Sequence, residues 1–90
     1  MIMVDEIKVY PNAWGPFKNG SCRLTTDGDI SELHLFAQKI GLDRVWFHAN
    51  SSTPHYDLTP LRRAKAIRAG AVEVSARTQA ISRLKKRVKL

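Results

Sequence analysis

The residues whose types and spacing suit chemistry gather in one stretch: His48, then His55, Tyr56 and Asp57. In an extended chain His55 and Asp57, two residues apart, project to one side and Tyr56 to the other. A carboxylate beside an imidazole fixes its tautomer and raises its basicity, which suits general-base work or anion binding. The plainer reading is that Asp57 caps the helix region that follows and His55 ties the loop to itself. His48, His55 and Asp57 also make two imidazoles and a carboxylate, a set that holds iron or zinc when geometry allows. Their spacing matches no standard zinc pattern and Cys22 is distant in sequence, so no metal ligand is assigned here and no cofactor is named. His34 is expected on the exposed, polar side of a helix. There is no glycine-rich phosphate loop and no nucleophile elbow, and Ser75, with no base beside it, reads as a helix cap.

A second group of residues is basic. Residues 1–57 carry five Lys/Arg against seven Asp/Glu, whereas residues 58–90 carry ten Lys/Arg against Glu73 alone. Arg62, Arg63, Lys65 and Arg68 fall on an expected second helix, and Arg83, Lys85, Lys86, Arg87 and Lys89 crowd the end of a third. Cations at a helix C-terminus complement its dipole, which accounts for some of that second cluster but not for all of it. Together the two helices could follow a phosphate backbone, with steep salt dependence. Few aromatics lie among these charges, so stacking on single strands has little support. The apolar face of the last helix is too small to hold a membrane surface by itself.

The elements that must position these residues follow from pattern. Ile7–Tyr10 alternates as a half-buried strand does, and Ser21–Thr25 reads as a second, forming a meander around a turn-rich loop in which Trp14 and Phe17 cap the core. Asp29 and Glu32 have capping-box spacing, followed by Leu33, Phe36, Ala37 and Ile40 on one helical face and Gly41 as a stop. Arg44–His48 reads as a strand and 49–58 as a loop. Thr59-Pro60 starts a helix that runs to about Ala69 with Gly70 as its stop. Ala71–Val74 reads as the last strand, and Ser75 caps a basic C-terminal helix over 76–90 whose apolar positions are Ile81, Leu84 and Val88. The expectation is a single α/β domain over 1–90, in the order β-β-α-β-α-β-α. About four strands form a mostly parallel sheet with helices packed on it and the first strand antiparallel. In that topology three helix N-termini share the edge where ligands bind.

The totals are consistent with one small domain: 90 residues, 43% apolar, formal net charge +7. No 20-residue tract lacks charge, so no membrane-spanning helix is expected. Asp5 and Glu6 stand where an export signal would be basic or apolar. Cys22 has no partner for an internal disulfide, which fits a reducing compartment such as the cytoplasm.

At His55-Tyr56-Asp57-Leu58-Thr59 the sequence resembles the uncharacterised bacterial and phage domain-of-unknown-function 4031 family. The likeness extends through Glu32-Leu33-His34, Phe36-Ala37, Leu42, Arg44, Trp46-Phe47 and Gly70-Ala71-Val72-Glu73-Val74-Ser75. It runs from the first strand to Ser75, and the tail after Ala80 lies outside it. Members of that family often carry an acidic pair after the first strand and then a Trp-Pro-Trp-like segment. With the first strand at Ile7–Tyr10, Pro11-Asn12 stands in place of the acids, and Trp14-Gly15-Pro16-Phe17 is only similar. The resemblance implies a bacterial or phage cytoplasmic setting and no particular activity.

The leading expectation is a module that binds DNA, RNA or another polyanion through its second and third helices. One alternative is a small-ligand or enzymatic domain holding a phosphate-bearing molecule at the strand ends near His48, His55, Tyr56 and Asp57. Another is a module that docks on an acidic protein partner. Whether the chain is an enzyme stays open at this stage.

Overall fold

The computed structural model describes residues 1–13, 15–79 and 81. Five strands and two long helices are β1 (Ile2–Val4), β2 (Cys22–Thr26), α1 (Ile30–Lys39), β3 (Phe47–His48), β4 (His55–Leu58), α2 (Pro60–Arg68) and β5 (Val72–Glu73). A third helix, α3, is helical at residues 76–79 and 81. The expected α/β class holds, but the sheet has five strands in the order β3-β4-β2-β1-β5 and is mostly antiparallel. Among the described residues only β1 and β5 pair in parallel.

The extra strand explains the difference. Arg44–Trp46 is a 3-10 turn rather than the body of a strand, started by Asp43, whose Oδ1 accepts from Val45 N at 3.0 Å. Phe47 and His48 then pair antiparallel with Tyr56 and His55, within the segment expected to be a loop. β4 thereby inserts between β2 and β3 and runs against both. β4 and β5 thus run with β1 and against β2, so α1 starts at the opposite end of the sheet from α2 and α3. Among the described residues the three helix N-termini do not share an edge.

The first strand also moves. Ile2–Val4 is buried along its whole length, because β2 and β5 flank it and both its faces are covered. Such a strand reads as a continuous apolar run, not as an alternation. Ile7–Tyr10 retains one bridge, Lys8 to Ser21, while Val9 and Tyr10 are exposed. β1, which was not expected, lies antiparallel to β2, with Val4 opposite Leu24.

Cross-strand partners share a face. Val4, Leu24, Tyr56 and Leu58 lie on one face with Leu33 and Ala37 of α1 and Ala66 of α2, forming the core. Met3, Thr25, Arg23, Asp57, His55 and His48 take the other face.

The helix signals hold to different degrees. Thr59 Oγ1 accepts from Arg62 N at 3.3 Å with Pro60 in the first turn, and Ser75 Oγ accepts from Thr78 N at 3.1 Å. Gly41, at φ 84°, closes α1 as read from the sequence. The capping box does not form: the Asp29 side chain makes no cap hydrogen bond. Glu32 instead lies 3.4 Å from the Met1 ammonium, which Asp27 holds at 2.7 Å. Gln79 is 3% exposed and its Nε2 donates to the carbonyls of Met3 and Arg23, clipping the start of α3 to the sheet between β1 and β2.

Candidate functional site

β4 sets the site by alternation. His55 and Asp57 point to the face away from the core, and Tyr56 and Leu58 point into it. β3 then brings His48 directly opposite His55. The imidazoles stack, with centroids 4.9 Å apart and planes 17° from parallel. Each reaches one oxygen of the same carboxylate: His48 Nε2 to Asp57 Oδ2 at 3.1 Å, His55 Nε2 to Asp57 Oδ1 at 3.4 Å. The sequence left open whether the two histidines meet, and the β3–β4 hairpin joins them.

The His55 tautomer has a local cause. Its Nδ1 lies 2.7 Å from the carbonyl oxygen of Thr53, which only accepts, so Nδ1 carries the proton. In the neutral ring Nε2, which faces Asp57, is therefore the lone-pair nitrogen, and only the imidazolium donates from it to the carboxylate. Asp57 is held below the usual carboxylate range, first by its hydrogen bond with His55, against the opposing effect of burial, and then by the charges of His55, His48 and Arg23. The side chain of His55 is 8% exposed, against 54% for His48 and 34% for Asp57, so the cluster has a buried floor and an open rim. Such a group can pass a proton or hold a cation.

Two hollows meet here. A cleft of about 500 Å³ is lined by Asp5, Lys8, Phe17 and Arg23 together with His48, His55 and Asp57. A second of about 420 Å³ is lined by Phe17, Val45, Trp46 and Arg62, again with His48 and Asp57. His48 and Asp57 thus stand on the wall common to both. The Arg62 guanidinium lies 4.7 Å from the centre of the Trp46 ring.

Tyr56 belongs to a different surrounding. It is 1% exposed and its hydroxyl lies 2.8 Å from His34 Nδ1, on the core side. His34 is accordingly not the exposed residue the helix pattern implied. Its ring stands edge-on to Phe47, and its pKa is lowered first by burial and then by Arg44.

The basic candidates separate as well. Arg63 is committed to structure: its Nε donates to Asp5 O at 2.8 Å and its terminal nitrogen meets Glu73 at 3.1 Å. Arg62 lies over Trp46, while Lys65 and Arg68 are exposed on α2. Arg83, Lys85, Lys86, Arg87 and Lys89 lie outside the described residues, as does Trp14.

Asp5, Lys8, Arg23 and Trp46 were not assigned to the site from the sequence. Asp5 is 3% exposed, and its Oδ1 accepts from Arg23 N at 2.7 Å. A signal for it existed: an acid directly after the apolar run Met1–Val4. Since β1 is Ile2–Val4, the residues that follow the first strand are Asp5 and Glu6. Two acids, not Pro11-Asn12, therefore follow the first strand. Among the described residues no helix is long and apolar enough to cross a membrane.

Residues 2–87 match the model of the family described as Protein of unknown function (DUF4031), so the match takes in most of the tail after Ala80 that was expected to lie outside it, and the chain belongs to that family. No curated protein and no solved structure matches the chain.

Proposed function

Taking membership of the DUF4031 family as the premise, we propose that this protein is a small-ligand or enzymatic domain that holds a phosphate-bearing molecule at His48, His55 and Asp57. One juxtaposition carries the reading: two imidazoles meet both oxygens of one carboxylate on the wall between two hollows. Lys8, Arg23 and Arg62 line those hollows, and cationic donors make the stronger, charge-assisted hydrogen bonds to phosphate oxygens. The setting we infer is the cytoplasm of a bacterium or of a phage-infected cell. The test is calorimetric titration with phenyl phosphate and adenosine monophosphate, in EDTA and over a range of salt. Saturable binding of one molecule, lost in Arg23→Gln and His48→Ala, supports the reading. Heat that never saturates, or binding indifferent to both substitutions, overturns it.

A second reading rests on charge: the surplus of ten cations over one acid in residues 58–90, with Lys65 and Arg68 exposed on α2. It makes α2 and the basic C-terminal segment a surface for DNA, RNA or another polyanion. Fluorescence anisotropy of labelled duplex DNA, single-stranded DNA and RNA, on the intact chain and on one ending at Ala80, tests it. Binding that weakens steeply with salt and collapses on truncation supports this surface. Binding insensitive to the truncation removes it. Retention of an acidic protein instead would direct the same surface to a protein partner.

A further inference from the structure

Resting on the same site, we propose that His48, His55 and Asp57 bind one first-row divalent cation, of the Zn²⁺ or Fe²⁺ kind, through both Nε2 atoms and the Asp57 carboxylate. A phosphate oxygen of the ligand completes its shell. The ligand atoms these three residues offer all lie within 4.8 Å of one another, the one such group among the described residues. Donors about 2.1 Å from a common ion stand about 3.0 Å apart at right angles and about 3.4 Å apart at the tetrahedral angle. The two observed nitrogen–oxygen separations, 3.1 and 3.4 Å, run to different oxygens of Asp57 and each falls on one of these values, so the carboxylate turns both oxygens toward the ion.

The orientation of His55 supports the same conclusion. Its Nδ1–H is donated to the Thr53 carbonyl, the outer contact that ligating histidines characteristically make and that aims the other nitrogen at the metal. That leaves a lone pair on Nε2 directed at a carboxylate oxygen, two electron-rich atoms that need something positive between them. His48 presents its own Nε2 to the second oxygen from a ring stacked on His55. Bridging both contacts with protons alone would make His55 an imidazolium stacked on His48, which can donate to Asp57 as a neutral ring. One cation meets both contacts with neutral rings.

The donor set chooses among metals. Two imidazoles and one carboxylate suit zinc, iron and their neighbours, whereas calcium and magnesium prefer all-oxygen shells. Three protein ligands on one side, with His48 and Asp57 open to the hollows, match the arrangement of catalytic rather than closed structural sites. The remaining positions face the space flanked by Lys8 and Arg23.

The test uses the metal alone. Protein stripped with EDTA and returned to metal-free buffer is titrated with Co²⁺, read by visible absorption, and Zn²⁺ is then used to displace it. The variants are His48→Ala, at an open position, and the isosteric Asp57→Asn, each checked for native circular dichroism. The expected result is saturation at one equivalent, displacement by Zn²⁺, and binding weakened about 100-fold or more in both variants, beyond what loss of an outer-shell partner costs. Absorption that does not saturate at one equivalent, or an affinity unchanged in either natively folded variant, overturns the metal and leaves a proton in its place. The phosphate titration in EDTA is separate. If phosphate binds there and cobalt does not, only the metal falls. If cobalt binds and phosphate binds neither in EDTA nor with one equivalent of Zn²⁺, the ligand reading falls and the metal stands.

Discussion

Replacing Asp5 with alanine should cost about 2 kcal/mol, and the structure says where that comes from. Asp5 is 3% exposed, and its Oδ1 accepts the backbone N–H of Arg23 at 2.7 Å. Its own N–H donates to Arg23 O at 3.3 Å, and its carbonyl receives Arg63 Nε at 2.8 Å. Alanine keeps the two backbone contacts and removes the carboxylate. A hydrogen bond to a charged group contributes about 1.5–3 kcal/mol, and the Arg23 N–H left beneath the cleft loses its acceptor. Release of a buried charge offsets part of this, which brings the expectation to about 2 kcal/mol. For a domain of this size that lowers the melting temperature by about 8–16 °C. Asp5→Asn keeps an acceptor oxygen and should lose about half as much. The assay is urea unfolding followed by tryptophan fluorescence, with thermal melts by circular dichroism. An Asp5→Ala protein within about 0.5 kcal/mol of the parent, or an Asp5→Asn protein as damaged as Asp5→Ala, would refute the reasoning.

Other expectations follow from burial and backbone. The Cys22 thiol is pushed up to about 12, by burial first and then by the charge of Asp5, so it should resist alkylation at pH 8 until the chain unfolds. The raised value also has a linkage: the unfolded thiol ionises above about 9 while the folded one keeps its proton. This share of stability is intact below that pH and lost as pH rises toward 12, which Cys22→Ala should flatten in urea midpoints. His34 is lowered from 6.5, so the unfolded chain takes up its proton first on acidification. Stability present above pH 6.5 should therefore fall below it, less so in His34→Gln, as read from urea midpoints between pH 8 and pH 5. Gly20→Ala, at φ 112° with a Cβ that would stand 2.5 Å from Ile7 Cγ2, should cost about 2 kcal/mol in a thermal melt.

What was legible in the sequence was local. Thr59-Pro60, Ser75 and the face of Leu33, Ala37 and Ile40 announce helices through contacts made within a few residues, and the helices stand there. The capping box does not form: Asp29 makes no cap bond, and Glu32 lies 3.4 Å from the Met1 ammonium, distant in sequence. β1 was missed because a strand covered on both faces has no alternation to detect. Val45 and Trp46 suggested a buried strand but are 81% and 40% exposed, since Asp43 turns that segment into a 3-10 helix. For the site, a period of two put His55 and Asp57 on one side correctly. Their meeting with His48 depends on a hairpin whose second strand begins with a histidine buried through its bond to Thr53. No spacing rule contains that.

The place of β1 in the sheet has a consequence for how the chain acquires its structure. Met3 pairs with Thr25 on one side and with Val72 on the other. During synthesis β1 can find β2 early, yet one of its edges stays open until β5 has left the ribosome. Closing so long a loop costs entropy before its contacts return anything, which slows folding. A nascent or truncated chain that stops short of Val72 therefore exposes an apolar edge, Ile2-Met3-Val4, at its first strand. That species, not the finished domain, is the one prone to pair with a second copy of itself.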